Sequence, residues 1–225
     1  MQEAFVKTYE SWYEGKGKRA DKLEKELLSE LVNYIGATRT MLEVGAGTAH
    51  FTRWFESLGI QCVGMDFSRL MLKEAKKLWH GELVRGDAHH LPFRDKTFDL
   101  VSFITSIEFI NRPTDALKEA RRVSTKGILC GALNRWSLPT FFRRIKAKLG
   151  NGSFYGDAQF YSILDVKHLL ESALDDTNYR MKWSTTVCLV HVPIRKSPLP
   201  FGEFLGIAVK FTEPISHAGT INAQI

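Results

Sequence analysis

Residues 41–50, Met-Leu-Glu-Val-Gly-Ala-Gly-Thr-Ala-His, read as an apolar strand that runs into a glycine turn and opens a helix. Gly45 and Gly47 allow a sharp bend and a close approach of the backbone to a ligand. The helix expected from about His50 to Leu58 turns free N–H groups and its positive end toward the same place. Asp66 stands 21 positions beyond Gly45, after a second apolar run from Ile60 to Met65. That spacing puts a carboxylate at the tip of the neighbouring strand, in reach of ribose hydroxyls. These residues suit a nucleotide-like cofactor. A tight strand-to-helix turn without a ligand uses the same glycines, but it does not call for the acid at that distance.

Two cofactor classes share this much. The dinucleotide fingerprint G-x-G-x-x-G needs a small residue at position 50, where His50 stands, which disfavours a pyrophosphate ligand. The run instead reads E-x-G-x-G-x-A and resembles the first motif of class I S-adenosylmethionine-dependent methyltransferases, with Glu43, Gly45 and Gly47 in their places. Ala49 replaces the usual third glycine and is expected to crowd the loop by one methyl. Gly86-Asp87-Ala88 is similar to the segment in which, in such enzymes, the acid accepts a hydrogen bond from the adenine amino group and the next backbone N–H reaches a ring nitrogen. The resemblance assigns those roles to Asp87 and Ala88, and adds Ala46, Phe67 and Thr105 to the cofactor set. An aspartate at a strand end is also an ordinary turn residue.

Phe98 to Ile110, followed by Asn111 to Val123, resembles the strand, linker and helix of the type-11 methyltransferase group, which includes ubiquinone and menaquinone C-methyltransferases. The likeness covers about residues 5–175 and is strongest over 41–123. Two departures stand out. The usual K-P-G-G turn is reduced to Ser124-Thr125-Lys126-Gly127, with Gly127 left to make the bend, and Glu108-Phe109 occupies the place of a frequent His pair, so a histidine mechanism does not carry over. In relatives an aromatic segment before the first long helix folds over the cofactor, a role that here falls to Tyr9 and Trp12. The same aromatics serve equally to dock the terminus on the core.

With 225 residues and 44% hydrophobic content the chain fits one domain, 1–225. Cys62, Cys130 and Cys188 lie far apart in apolar runs with no C-x-x-C, so they read as buried thiols in a reducing compartment, and no metal site is expected. No leader and no membrane span are evident, which points to the cytoplasm. The net charge of +6, from 31 basic against 25 acidic residues, admits nucleic acid, anionic lipid or an acidic small molecule and selects none of them.

The elements that must position these residues alternate between strand and helix. The resulting fold class is α/β, with a doubly wound, Rossmann-like sheet. Strands are expected near 40–45, 60–65, 82–86, 98–104 and 127–133, and helices near 19–35, 49–58, 68–79, 113–123 and 162–174, with 1–38 as an N-terminal helical cap. Ser68 is a candidate N-cap. Two β-type runs, Tyr179 to Val192 and Glu203 to Thr212, bring the sheet to seven strands. The resemblance implies that the sheet is mostly parallel, with one antiparallel strand near the C-terminus beside the fifth. Residues 213–225 have no period and read as a loose tail.

Residues 134–161 interrupt the alternation after the fifth strand, so they belong over the carboxyl edge of the sheet as a substrate lid. Phe141, Phe142, Ile145 and Leu149 share a helical face among Arg143, Arg144, Lys146 and Lys148. That face either covers the core or grips an acidic or lipid-like substrate. Candidates for a proton-accepting group are Glu108, His90 and Tyr161, with His89 beside them. The reading as a whole is methyl transfer from S-adenosylmethionine to a small molecule. An RNA or protein methyltransferase and a non-catalytic cofactor-binding protein are the alternatives. The first lacks an N-P-P-Y-type segment or nucleic-acid domain to support it. Acceptor and oligomeric state are not legible.

Overall fold

A computed structural model describes residues 3–148, 158–186 and 199–212. Helices α1 (Glu3–Glu14) and α2 (Lys18–Ile35) precede a regular alternation: β1 (Thr40–Val44), α3 (His50–Ser57), β2 (Gln61–Asp66), α4 (Arg69–Leu78), β3 (Glu82–Arg85), β4 (Phe98–Ile104), α5 (Pro113–Val123) and β5 (Ser124–Leu133). Helices α6 (Leu138–Lys148) and α7 (Ile163–Ala173) and strands β6 (Tyr179–Thr186) and β7 (Phe204–Phe211) complete it, with one turn of 3-10 helix at Ile107–Phe109. The sheet order is β3-β2-β1-β4-β5-β7-β6, parallel from β3 to β5, with β7 antiparallel to both β5 and β6. The expected architecture is therefore observed, with β7 as the antiparallel strand.

Each face of the sheet carries its own core, because β4 and its neighbours alternate side chains between the two. Leu42, Val44, Val101, Phe103 and Ile128 pack with Ala116 and Leu117 of α5 and Val166 and Leu170 of α7. Met41, Leu100, Ile104 and Leu129 pack on the other side with Leu27, Leu28 and Leu31 of α2 and Phe51 and Phe55 of α3. Fully burying a Leu or Phe side chain stabilises by about 1.5–3 kcal/mol, so these two layers fix the frame to which the loops are attached. The order reverses between β1 and β4, and the crevice at that switch point lies at the carboxyl edge.

The expected N-cap at Ser68 is observed, and a second N-terminal cap appears at Ser162. Ser68 caps α4, accepting from the Met71 N–H, and Ser162 with Asp165 forms a capping box on α7. One expectation is corrected. Gly127 makes no bend, because β5 begins three residues earlier, directly after α5, and Gly127 lies inside it opposite Lys210. Residues 187–192, Cys188, the 149–157 part of the expected lid and the 213–225 tail lie outside the described residues. Among the described residues no helix is long and apolar enough to cross a membrane.

Candidate cofactor and acceptor site

The turn after β1 is held from three sides. Gly45 and Ala46 N–H groups both donate to the Met65 carbonyl of β2, at 2.7 and 2.9 Å, and Ser106 Oγ donates to the Val44 carbonyl at 2.7 Å. The Asp66 carboxylate accepts the Gly47 N–H on Oδ2 at 2.8 Å and the Ser68 N–H on Oδ1 at 2.7 Å. Burial raises the Asp66 pKa, and those two N–H bonds oppose the rise. Because a carboxylate offers about four lone-pair sites, Asp66 retains acceptor capacity.

The two glycines are needed for different reasons. At Gly45, φ is +76° and an added Cβ meets Ser106 Cβ at 2.4 Å, so the position is closed by packing. At Gly47, φ is +58° and an added Cβ meets nothing within 4 Å, so the turn faces open space there. Ala49 also departs from the expectation. Its methyl is accommodated in the core, and the cost lies in its backbone, at φ +63°, a left-handed geometry that glycine would adopt freely. Thr105, a branched residue at φ +48°, is strained in the same way where β4 leaves the sheet, with its N–H donating to the Gly131 carbonyl at 2.6 Å.

Glu43 lies behind this turn. It is fully buried, Thr52 of α3 donates to it, and burial pushes its pKa up to about 8 despite that bond, so it ties α3 to β1 as a neutral acid near pH 7. Next along the edge, Phe67 is 70% exposed, and the Arg85 guanidinium lies 5.9 Å from its ring centroid. Asp87, half-exposed, accepts the His89 backbone N–H at 3.0 Å and pairs with His89 Nδ1 at 2.6 Å. These contacts, the backbone bond first, lower its pKa.

On the far side of the switch point the 3-10 turn carries Glu108. The Leu133 N–H donates to its Oε1 at 2.7 Å, while its buried Oε2 has no hydrogen-bond partner among the described residues. Burial raises its pKa to about 7, against the Leu133 N–H and its own N–H. Its carbonyl accepts the Gln159 N–H, and Gln159 Oε1 accepts from Tyr161, whose pKa is raised to about 12 by burial and by the nearby Glu108 charge. The structure thus brings Glu108 and Tyr161 together. His90 lies in the loop after β3, where it is exposed and bridges back to Asp87, and the next residue's N–H donates to Glu119 of α5 at 2.8 Å. Among the described residues no group of His, Cys, Asp or Glu side chains is arranged to hold a metal ion.

Residues 42–130 match the Methyltransf_11 family, described as a methyltransferase domain. The chain is 34% identical over 141 residues to the demethylmenaquinone methyltransferase of Thermotoga maritima, covering 57% of this chain and 62% of that one. Over residues 42–130 the chain carries a methyltransferase domain like those of the type-11 group of class I S-adenosylmethionine-dependent methyltransferases. The crystal structure of a methyltransferase from Thermotoga maritima, described as a possible histamine N-methyltransferase, superposes with a TM-score of 0.76 at 27% identity, covering 92% of this chain and 96% of that one. An uncharacterized protein of Methanocaldococcus jannaschii is 28% identical over 169 residues, 74% of this chain and 77% of that one. The chain spans less than two thirds of the length of curated methyltransferases it matches by sequence, 42% of the one from Renibacterium salmoninarum and 62% of the one from Thermotoga maritima.

S-adenosylmethionine is the cofactor of this methyltransferase group, and the open face of Gly47 fits it, being a cradle that a Cβ would fill. The amino-terminal helix closes on that loop by a latch that sequence spacing does not reveal. Glu10 of α1 accepts from Thr48 of the loop and pairs with Arg53 Nη2 at 2.8 Å. Tyr13 stacks on His50 with ring centroids 3.6 Å apart, and His50 Nε2 pairs with Asp21 Oδ1 at 2.7 Å, Lys25 binding the same carboxylate. Tyr9 sits on this latch, its hydroxyl 3.1 Å from that of Tyr13, whereas Trp12 packs over Gly17 at the α1–α2 turn.

Burial alone would lower the His50 pKa, but the Asp21 and Glu10 bonds outweigh it and raise it, and the partners of Glu10 bring its own pKa down to about 2 despite burial. His50 therefore contributes fully below its ordinary value of 6.5, and its contribution is lost as pH rises through the raised folded value. The Glu10 contribution is present above its ordinary 4.5 and is lost as pH falls toward about 2. Amide exchange in residues 3–14, corrected for intrinsic rates, should quicken as the pH rises from 6.5 through the raised His50 value, and His50→Gln should remove that dependence. Equal protection of α1 across that range would contradict the latch.

The two glycines separate by substitution. Gly45→Ala should lower the melting temperature sharply through its clash with Ser106. Gly47→Ala should cost about 1–2 kcal/mol of left-handed strain yet abolish most cofactor binding in a calorimetric titration. Undiminished binding by Gly47→Ala would place the cofactor elsewhere.

Proposed function

We propose that this chain transfers a methyl group from S-adenosylmethionine to a small-molecule acceptor in the cytoplasm. On this reading Gly45, Ala46, Gly47 and Asp66 hold the cofactor's ribose and methionine parts, with Glu43 supporting the loop from behind. Phe67, Asp87 and Ala88 receive the adenine, Thr105 closes the crevice at β4, and α1 with Tyr9 covers it, while Trp12, packed over Gly17, stands away from it. The bound cofactor supplies a methyl group already activated on sulfonium sulfur. The chain's own work is then positioning, exclusion of water and handling of one proton.

The observation that carries the reading of the acceptor side is Glu108. A buried carboxyl with an unpartnered oxygen and a pKa of about 7 is poised to accept a proton from an acceptor oxygen or nitrogen as that atom is methylated. Tyr161 keeps its own proton at neutral pH and donates it to Gln159 Oε1, so it does not compete with Glu108 as the base. Residues 134–148 and 158–161 form the acceptor side, their base fixed by Asn134 and Tyr161. The names of the menaquinone-methylating relatives favour an acceptor with apolar bulk.

Transfer of a labelled methyl group from S-adenosylmethionine to compounds in a cell extract tests this directly. Once an acceptor is found, its rate should rise with pH through about 7, as Glu108 deprotonates. Glu108→Gln should lower kcat by about a hundredfold or more and flatten that limb, with cofactor affinity kept. A Gln variant with full activity would remove Glu108 from the reaction.

A further inference from the structure

Helix α6 is inside out with respect to its own protein. Leu138, Phe141, Phe142 and Ile145 recur at helical spacing and form one stripe, yet all four are exposed, Leu138 by 74% and Phe142 by 65%. Among the described side chains of the helix, the one turned to the protein body is polar. Thr140, on the opposite side of the helix, is wholly buried with the preceding Ser137, whose Oγ donates to Thr140 Oγ1 at 2.8 Å and accepts the Thr140 N–H at 3.2 Å. Four contiguous exposed apolar side chains on one helix differ from the scattered ones of an ordinary surface and mark something that covers them.

Charge identifies what covers them. Between positions 138 and 148 the sequence has Arg143, Arg144, Lys146 and Lys148 and no acidic residue, so this helix accounts for four of the net +6 charges. A second copy of the chain docked stripe to stripe would bring two such sets of like charges together. A soluble acidic molecule would answer the charges and leave the stripe in water. An anionic lipid surface answers both, since basic groups meet headgroups while Phe and Leu enter the acyl boundary. More apolar surface lies at the same edge. Asn134 Nδ2 donates to the carbonyls of Pro200 and Gly202, both at 2.7 Å, and so pins the 199–202 segment, with exposed Leu199 and Phe201, beside the base of α6.

We propose that α6 lies in the interface of an anionic bilayer, apolar stripe inward, and holds the carboxyl edge of the sheet against the membrane. This docking does not depend on methyl transfer, and lipid binding is read separately from turnover. The test is flotation of the full chain with vesicles of phosphatidylglycerol and phosphatidylcholine, and with phosphatidylcholine vesicles alone. The protein should float with the anionic vesicles, be released by high salt, and remain behind with the zwitterionic ones. The pair Phe141→Ser and Phe142→Ser, at exposed positions, should reduce the bound fraction about tenfold or more, as should Arg143→Glu with Arg144→Glu. S-adenosylmethionine titrations on the same samples should be unchanged. No flotation with anionic vesicles, or flotation of both double variants like the parent, overturns the proposal. So does a dimer in the absence of lipid that the Phe variant abolishes, which would make the stripe an interface between copies.

Discussion

The Asp66 carboxylate accepts one backbone N–H from the turn after β1, at Gly47, and one from the turn after β2, at Ser68. With the Met65 carbonyl receiving Gly45 and Ala46, it joins two strand ends into one rigid edge. Without that join Gly47 has no reason to keep its left-handed backbone, and the cradle it presents would close. The Asp66 charge is stabilised by these two N–H groups against its burial, so loop geometry and ionisation depend on each other. Charged hydrogen bonds of this kind are worth about 1.5–3 kcal/mol each, enough to offset the left-handed strain at Ala49 and Thr105 that the edge also carries.

A division of labour follows from the sheet order. The β1–β2–β3 half presents the glycine turn, Asp66, Phe67 and Asp87, all suited to holding a nucleoside, while the β4–β5 half presents Glu108 and Tyr161. Backbone strain at Thr105 sits at the boundary, where β4 leaves the sheet and the chain turns back into the 3-10 turn. The α1 latch lies over the first half, and α6 stands beside the second. On the proposed reading, cofactor retention and acceptor entry are served by different elements, so substitutions in one half should leave the other's binding intact.

Much of this was legible in the sequence because it is local. Strand and helix bounds followed from apolar periodicity to within a few residues, and the glycine turn with its acid 21 residues on marked the edge. The role of His50 was not legible: it served only to exclude a dinucleotide, since its partners Glu10 and Asp21 lie 40 and 29 positions away. Glu108 was visible as a candidate, but its poise depends on Leu133 from β5 and on burial, which no spacing encodes. The apolar stripe of α6 was equally plain in the sequence, and which side of the helix meets the protein was settled by Thr140, a residue that periodicity passes over.

The central claim is that the carboxyl edge of β1 to β4 is where S-adenosylmethionine binds. The most direct measurement is a backbone amide NMR titration with S-adenosylmethionine and with its demethylated product. The account predicts shifts concentrated at Gly47, Phe67, Ser68, Ala88 and Thr105, with the α1 residues near Tyr9 moving as well. Shifts confined to the opposite edge of the sheet, in the groove lined by Lys96, Lys118 and Arg121, or no shifts at saturating ligand, would contradict it.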